Sequence, residues 1–168
     1  MRFWTPALTL ALAFAAPASC ADALGRYLLS LKLGDTIKEI ESVYPPKKKW
    51  RKYREPGGQV DRILMEAGSA KWFPAKVEEL RLGISRGVLV HLQIVYKKEY
   101  SQQKPVGELV RDYSLIYGEP RRYGEVYFWW DAQTVLAVSN AEVKTTEGVE
   151  LRTGLELMEK SYFAGFRN

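Results

Sequence analysis

A chain of 168 residues with 46% hydrophobic and 12% aromatic side chains is long enough for one packed domain, and its single cysteine excludes an internal disulfide. One histidine beside that cysteine excludes a Cys/His metal cluster, and with no P-loop, GxGxxG or GxSxG in the chain no cofactor is expected. The net charge of +5 is local: residues 47–54 carry six positive charges and no negative one, leaving the rest of the chain near −1.

The amino terminus differs in character from the rest of the chain. Arg2, the apolar run Ala7 to Ala16 and the small residues around Pro17 have the layout of a secretory leader, too short to span a bilayer stably. Two A-x-A sites compete for cleavage, Ala16-Pro17-Ala18 and Ala21-Asp22-Ala23. A signal peptide over 1–23 and a single domain over 24–168 are expected, in a periplasmic or secreted protein. Cys20 stands where a lipoprotein's acylated cysteine would stand, but Pro17 occupies the lipobox leucine position, so ordinary cleavage is expected and lipidation is the alternative.

After the leader, Leu29, Leu31 and Leu33 alternate. The period then changes, and Ile37, Ile40, Val43 and Tyr44 fall on one helical stripe. Asp35 or Thr36 caps this helix over 36–44, and Pro45-Pro46 stops it. The basic run comes next, and with the Pro56-Gly57-Gly58 turn it predicts a hairpin with arms near 47–54 and 59–66. In "KVEELRLGIS", Leu80, Leu82 and Ile84 share one face while Glu79 and Arg81 share the other. A turn at Arg86-Gly87 leads into "VLVHLQIVY", where Val88, Val90, Leu92, Ile94 and Tyr96 alternate inward.

Val106, Leu109, Val110, Tyr113, Ile116 and Tyr117 recur at helical spacing and close on Gly118-x-Pro120, a stop of C-cap type. Two strand-like runs come next about a turn at Asp131 to Gln133, then a last run in which Val149, Leu151, Leu155 and Leu157 share a face. The halves echo each other, each with a helix ending in Tyr, then Pro, basic and aromatic residues, then a hairpin. Tyr44 and Tyr117 are 73 positions apart. The expected fold is α+β: two tandem helix-plus-strand repeats, 24–100 and 101–168, forming one continuous antiparallel sheet with the helices on one face.

The stretch Leu33 to Pro46, with Gly34, Thr36, Ile40 and Val43, resembles the helix signature of the small outer-membrane assembly lipoproteins of SmpA/OmlA type. Gly107 and Gly118-x-Pro120 match pieces of that signature in the second half, where Leu109 replaces the Thr. The tandem arrangement is similar to that of the β-lactamase inhibitor proteins, built from two helix-then-sheet repeats. The resemblance covers roughly a third of the chain and speaks of fold more than of chemistry. It implies a non-catalytic envelope module that docks a protein or a polymer.

Chemistry is sparse. His91, in "VLVHLQIV", is expected to point with Leu89 and Gln93 to the face opposite the apolar stripe, as a solvent-facing strand residue. Glu78-Glu79 and Glu39-Glu41 diverge around their elements and make no local dyad, while distant pairs such as Glu66 with Asp131 stay open. In "VYFWWD", Val126, Phe128 and Trp130 are expected against the helices, with Tyr127 and Trp129 on the outer face. Both tryptophans are then either structural or part of a shallow aromatic platform, which Trp72-Phe73-Pro74 would extend.

The basic stretch is the main functional candidate. As a strand it places Lys48, Trp50, Lys52 and Arg54 on one face and Lys47, Lys49, Arg51 and Tyr53 on the other, so neither face is fully buried and the strand belongs at a sheet edge. There its lysines either protect the edge or meet an anion, with Arg121 and Arg122 widening the patch. An exported protein meets envelope lipid, lipopolysaccharide, acidic glycan or an acidic protein rather than nucleic acid. The expected function is thus binding or assembly without catalysis, through this arm and the sheet face with Tyr127 and Trp129, in peripheral contact with the membrane. The alternative is an envelope hydrolase using carboxylates in a groove between the halves.

Overall fold

The computed structural model describes residues 24–54 and 60–163, with the side chain of Arg54 also left undescribed. The leader, Cys20 and the Pro56-Gly57-Gly58 turn lie outside the described residues.

The chain enters through a small hairpin, β1 (Tyr27–Leu28) with β2 (Leu31–Lys32), whose turn holds Leu29 and Ser30 at φ 51° and 66°. Two positive φ values in a two-residue turn match the right-handed twist of the flanking strands. Helix α1 (Ile37–Val43) is closed by a capping box: Thr36 Oγ1 accepts from the Glu39 amide, and Glu39 Oε2 accepts from the Thr36 amide at 2.7 Å. Ile40 and Tyr44, four apart, are buried, and Pro45-Pro46 prevents a further turn.

Strands β3 (Arg51–Arg54), β4 (Asp61–Glu66), β5 (Val77–Ser85) and β6 (Val88–Tyr96) form a meander. Then come α2 (Lys98–Gln103) and α3 (Val106–Tyr117), and a second meander of β7 (Arg121–Tyr123), β8 (Val126–Trp130), β9 (Thr134–Thr145) and β10 (Gly148–Glu159), ending in a short 3-10 turn at Lys160–Tyr162. All eight strands join one antiparallel sheet in the order β3-β4-β5-β6-β10-β9-β8-β7. The protein is therefore α+β, with the two meanders meeting along β6 and β10 at the middle of the sheet. Among the described residues no helix is long and apolar enough to cross a membrane.

Alternation along the strands sets the core. Ile63, Leu82, Leu92, Leu157, Leu136 and Trp129 stand in register across six strands, and all are buried in one cluster with Ile40, Tyr44 and Leu109. The other parity leads to the second face of the sheet, where Phe128, Val135, Ala137 and Met158 pack under Phe163.

Several expectations are corrected by the sheet. A bulge sets Gly83 opposite His91 but Ile84 opposite Leu89, so β6 carries one extra residue and Leu89 enters the main core instead of accompanying His91. Helix α2 has no apolar stripe, with no buried residue, and its sequence reads as a connection. Ile116 is exposed at the end of α3, and Val149 and Leu151 are exposed on β10 while Leu155 and Leu157 are buried. The stripe assumed for β10 thus covers only its second half.

Candidate functional site

Strand β3 is one margin of the sheet, and its position is held from both ends of the basic run. Upstream, the Lys47 amide donates to Ser69 O at 3.0 Å and Pro46 bridges to Ala70. Downstream, Arg51 pairs with Leu64, Lys52 with Ile63, Tyr53 with Arg62 and Arg54 with Asp61. Between them the Trp50 side chain goes into the main core, 6% exposed. Its neighbours on both faces stay in water, so neither face of the arm is fully buried, and one indole anchors the strand.

Lys47, Lys48, Lys49, Arg51, Lys52 and Tyr53 are exposed. Among the described residues, none of Lys47, Lys48, Lys49, Arg51 and Lys52 has an acidic partner. Cations elsewhere do, as in Arg26 with Glu159 at 3.1 Å, Lys104 with Asp112 at 2.5 Å and Arg122 with Glu125 at 2.8 Å. The strand splits these charges. Lys52, opposite Ile63, lies on the main-core side of the sheet, and Arg51 and Tyr53 lie on the second face.

Arg121 and Arg122 do not widen this patch, because β7 is the opposite margin of the sheet. Both are engaged there. Arg121 lies over the Trp130 ring at 4.7 Å, and Arg122 lies over Tyr127 at 5.5 Å and donates to Gly124 O.

The aromatic platform is inverted. Trp129 is 4% exposed within the main core, its Nε1 donates to Gly118 O at 2.7 Å, and Tyr113 and Tyr117 of α3 stand 5.9 and 6.5 Å from its ring. Tyr127 shares that parity and is half-buried, while Phe128 and Trp130 take the second face. A shift of one residue exchanges the two faces of a strand, and here Phe163 supplies the apolar cover that selects the observed one.

What the second face does carry, between the basic margin and the Phe163 cluster, is a ladder of polar side chains across β4, β5, β6 and β10. The register sets Arg62, Gly83, His91 and Met158 in one row and Arg81, Gln93 and Glu156 in the next. Arg62 Nη1 donates to His91 Nδ1, and since a guanidinium only donates, Nδ1 carries no proton. The imidazole proton is therefore on Nε2, which donates to Glu156 Oε2 at 2.9 Å. Gln93 Nε2 donates to Glu156 Oε1 at 2.9 Å, and Arg81 Nη1 donates to Gln93 Oε1 at 3.2 Å. Arg81 Nε completes the ladder by donating to Glu79 Oε1 at 2.6 Å.

Burial pushes the Glu156 carboxyl up, but its hydrogen bonds from His91 and Gln93 and the nearby Arg62 charge outweigh that, and the net shift is below its ordinary 4.5. His91 is thus not the solvent-facing residue expected from its strand, its side chain being 14% exposed.

Arg81 Nη2 also donates to Glu142 O on β9 at 2.5 Å, although β9 is three strands away in the sheet. Three spacings of about 4.8 Å exceed the reach of an arginine across a flat sheet. The sheet is therefore curled toward its second face, and the ladder lies inside the curl. Glu79, Arg81, His91 and Gln93 were placed on one face by sequence alternation alone; Arg62 and Glu156 came from strands whose neighbours in the sheet no local pattern specifies. Comparison with family models, curated proteins and solved structures finds no match to this chain.

Proposed function

We propose that this chain is an exported, non-catalytic binding and assembly module, docking a protein or an anionic component of the cell envelope through the β3 arm and the adjoining second face. The observation that carries the reading is the row of cations at Lys47, Lys48, Lys49, Arg51 and Lys52, free of acidic partners among the described residues on a strand that Trp50 holds in place. Free cations on a fixed support bind an anion without first breaking an internal ion pair. Three or four of them reaching an acidic lipid surface at once would contribute roughly 3 to 4 kcal/mol, a reversible adhesion within a Debye length of ~8 Å.

The halves are read as two related repeats with their helices on one face of the sheet. In support, each contains a helix that leads directly into a four-stranded meander, α1 into β3–β6 and α3 into β7–β10, the meanders meet through their last strands β6 and β10, and Ile40 of α1 and Leu109 of α3 join the same cluster. Against an acid-base role for the ladder, Glu156 is held ionised by its partners, the reverse of the raised carboxyl that a general acid needs.

The test is sedimentation of the mature protein with vesicles containing acidic lipid and with immobilised acidic protein. Replacing Lys47, Lys48, Lys49, Arg51 and Lys52 by serine should abolish retention on whichever of the two holds the wild type; unchanged retention defeats the reading.

A further inference from the structure

We infer that the partner of the β3 arm is an acidic polypeptide segment in extended conformation, which adds to the sheet as a ninth strand beside β3. The inference rests on the docking role proposed above and narrows it to one class of ligand and one geometry.

Three observations carry it. First, β3 is a margin of the sheet: among the described residues it pairs on one side only, with β4, and no described strand lies against its other backbone edge. Second, the free cations stand on both sides of that edge: Lys52 on the main-core side, Arg51 with Tyr53 on the second face. A membrane surface meets such a strand from one side and leaves the other side's charge in water. A strand lying alongside places its own side chains alternately above and below, so acidic residues on both of its faces meet cations on both faces of β3.

Third, the two margins are unlike. On β7, Arg122 is paired with Glu125 and stacked on Tyr127, and Arg121 is stacked on Trp130, so that margin's charges are already spent within the fold. On β3 they are not. Lysines at an edge repel a second copy of the same edge, and the same charges favour an acidic strand, so one device excludes self-pairing and selects the partner.

The experiment uses the mature full chain and two synthetic eight-residue peptides built from Glu, Thr and Val, with glutamates on both strand faces. One has free amides; its twin is N-methylated at every amide, with identical charge and no backbone donors. The free-amide peptide is expected to bind, to weaken by about tenfold or more between 50 and 200 mM salt as screening grows, and to add hydrogen-exchange protection to amides within residues 51–54. The twin is expected to bind at least about tenfold more weakly, since strand addition draws its affinity from main-chain hydrogen bonds.

Equal binding of the two peptides overturns strand addition and leaves the anion-docking role standing. Retention on acidic vesicles with neither peptide bound has the same meaning, with lipid as the partner. Protection of residues 51–54 by self-association in the absence of peptide assigns the edge to a second copy of the chain and overturns the acidic partner. If no acidic peptide, protein or vesicle binds, the docking role falls together with the inference.

Discussion

Arg62 folds over Gly83 so closely that a Cβ at position 83 would stand 2.9 Å from its Nη1, and equally near to Cβ of His91 and Cγ1 of Val60. A glycine inside a strand normally weakens it, and here the cost is offset by what the missing side chain admits. The guanidinium crosses β5 and reaches the imidazole on β6.

Gly83→Ala should therefore displace Arg62 and His91 and destabilise the fold by about 1 to 3 kcal/mol, as overpacking does. The chemical denaturation midpoint measures the loss. An unchanged midpoint would mean that Arg62 swings aside freely and that the ladder is not held from below.

The ladder also predicts how stability responds to acid. The Glu156 carboxyl lies below its ordinary 4.5 in the folded chain. A depressed folded value contributes stability that is present above the unfolded value and is lost as pH falls through the folded one. Glu156 should thus steepen the loss of thermal midpoint below about pH 4.5, and Glu156→Gln should lower the midpoint at pH 7 while flattening that acid limb. Parallel curves for the two proteins from pH 7 to pH 3 would show that the carboxylate's partners do not stabilise the fold.

Those two sites show where sequence reasoning reached and where it stopped. Thr36 and Pro45 bound α1 through contacts a few residues long, and the Gly118 stop bounds α3 likewise, so both helices could be placed from the chain alone. The antiparallel hairpins were legible because a turn and its two arms are contiguous. Which face of β8 is buried was not, since Phe128 and Trp129 are both apolar and the choice is made by Phe163 and by Tyr113 and Tyr117, residues from distant segments. The same limit hid the ladder. Glu156 meets His91 only because β10 lies beside β6, a pairing 65 residues apart along the chain.

The two buried indoles make contrasting demands. Trp129 Nε1 donates to Gly118 O at 2.7 Å, closing α3 onto the sheet, whereas Trp50 Nε1 is buried with no partner among the described residues. Trp129→Phe removes a donor and strands the Gly118 carbonyl, at a cost of about 1 to 3 kcal/mol. Trp50→Phe removes an unsatisfied donor along with some apolar area, and the two effects oppose each other. Trp129→Phe should accordingly be the more destabilising of the pair in denaturant titration; the reverse order would contradict the assignment of Trp129 to the helix-side core.

Alkaline titration tests the same core from another direction. Tyr44 is buried where α1 ends, its hydroxyl donates to Leu29 O at 2.9 Å, and burial pushes its phenol up from 10.0 to about 12. Tyr113, also raised by burial, reaches about 12, and its Tyr117 neighbour adds to the shift. A phenol whose folded value is raised contributes stability that is complete below the unfolded value and is lost as pH rises through the folded one, so the fold should weaken progressively above about pH 10. Absorbance at 295 nm should accordingly show a lagging set of phenols, Tyr44 and Tyr113 among them, that ionises only as the structure opens. Tyr44→Phe should give up the hydroxyl's bond to Leu29 at neutral pH and, having no phenolate to form at that site, lose less of its remaining stability between pH 10 and pH 12 than the wild type does. If all tyrosines titrate together with the fold intact, then solvent reaches Tyr44, and the seal between α1 and the first hairpin is not closed.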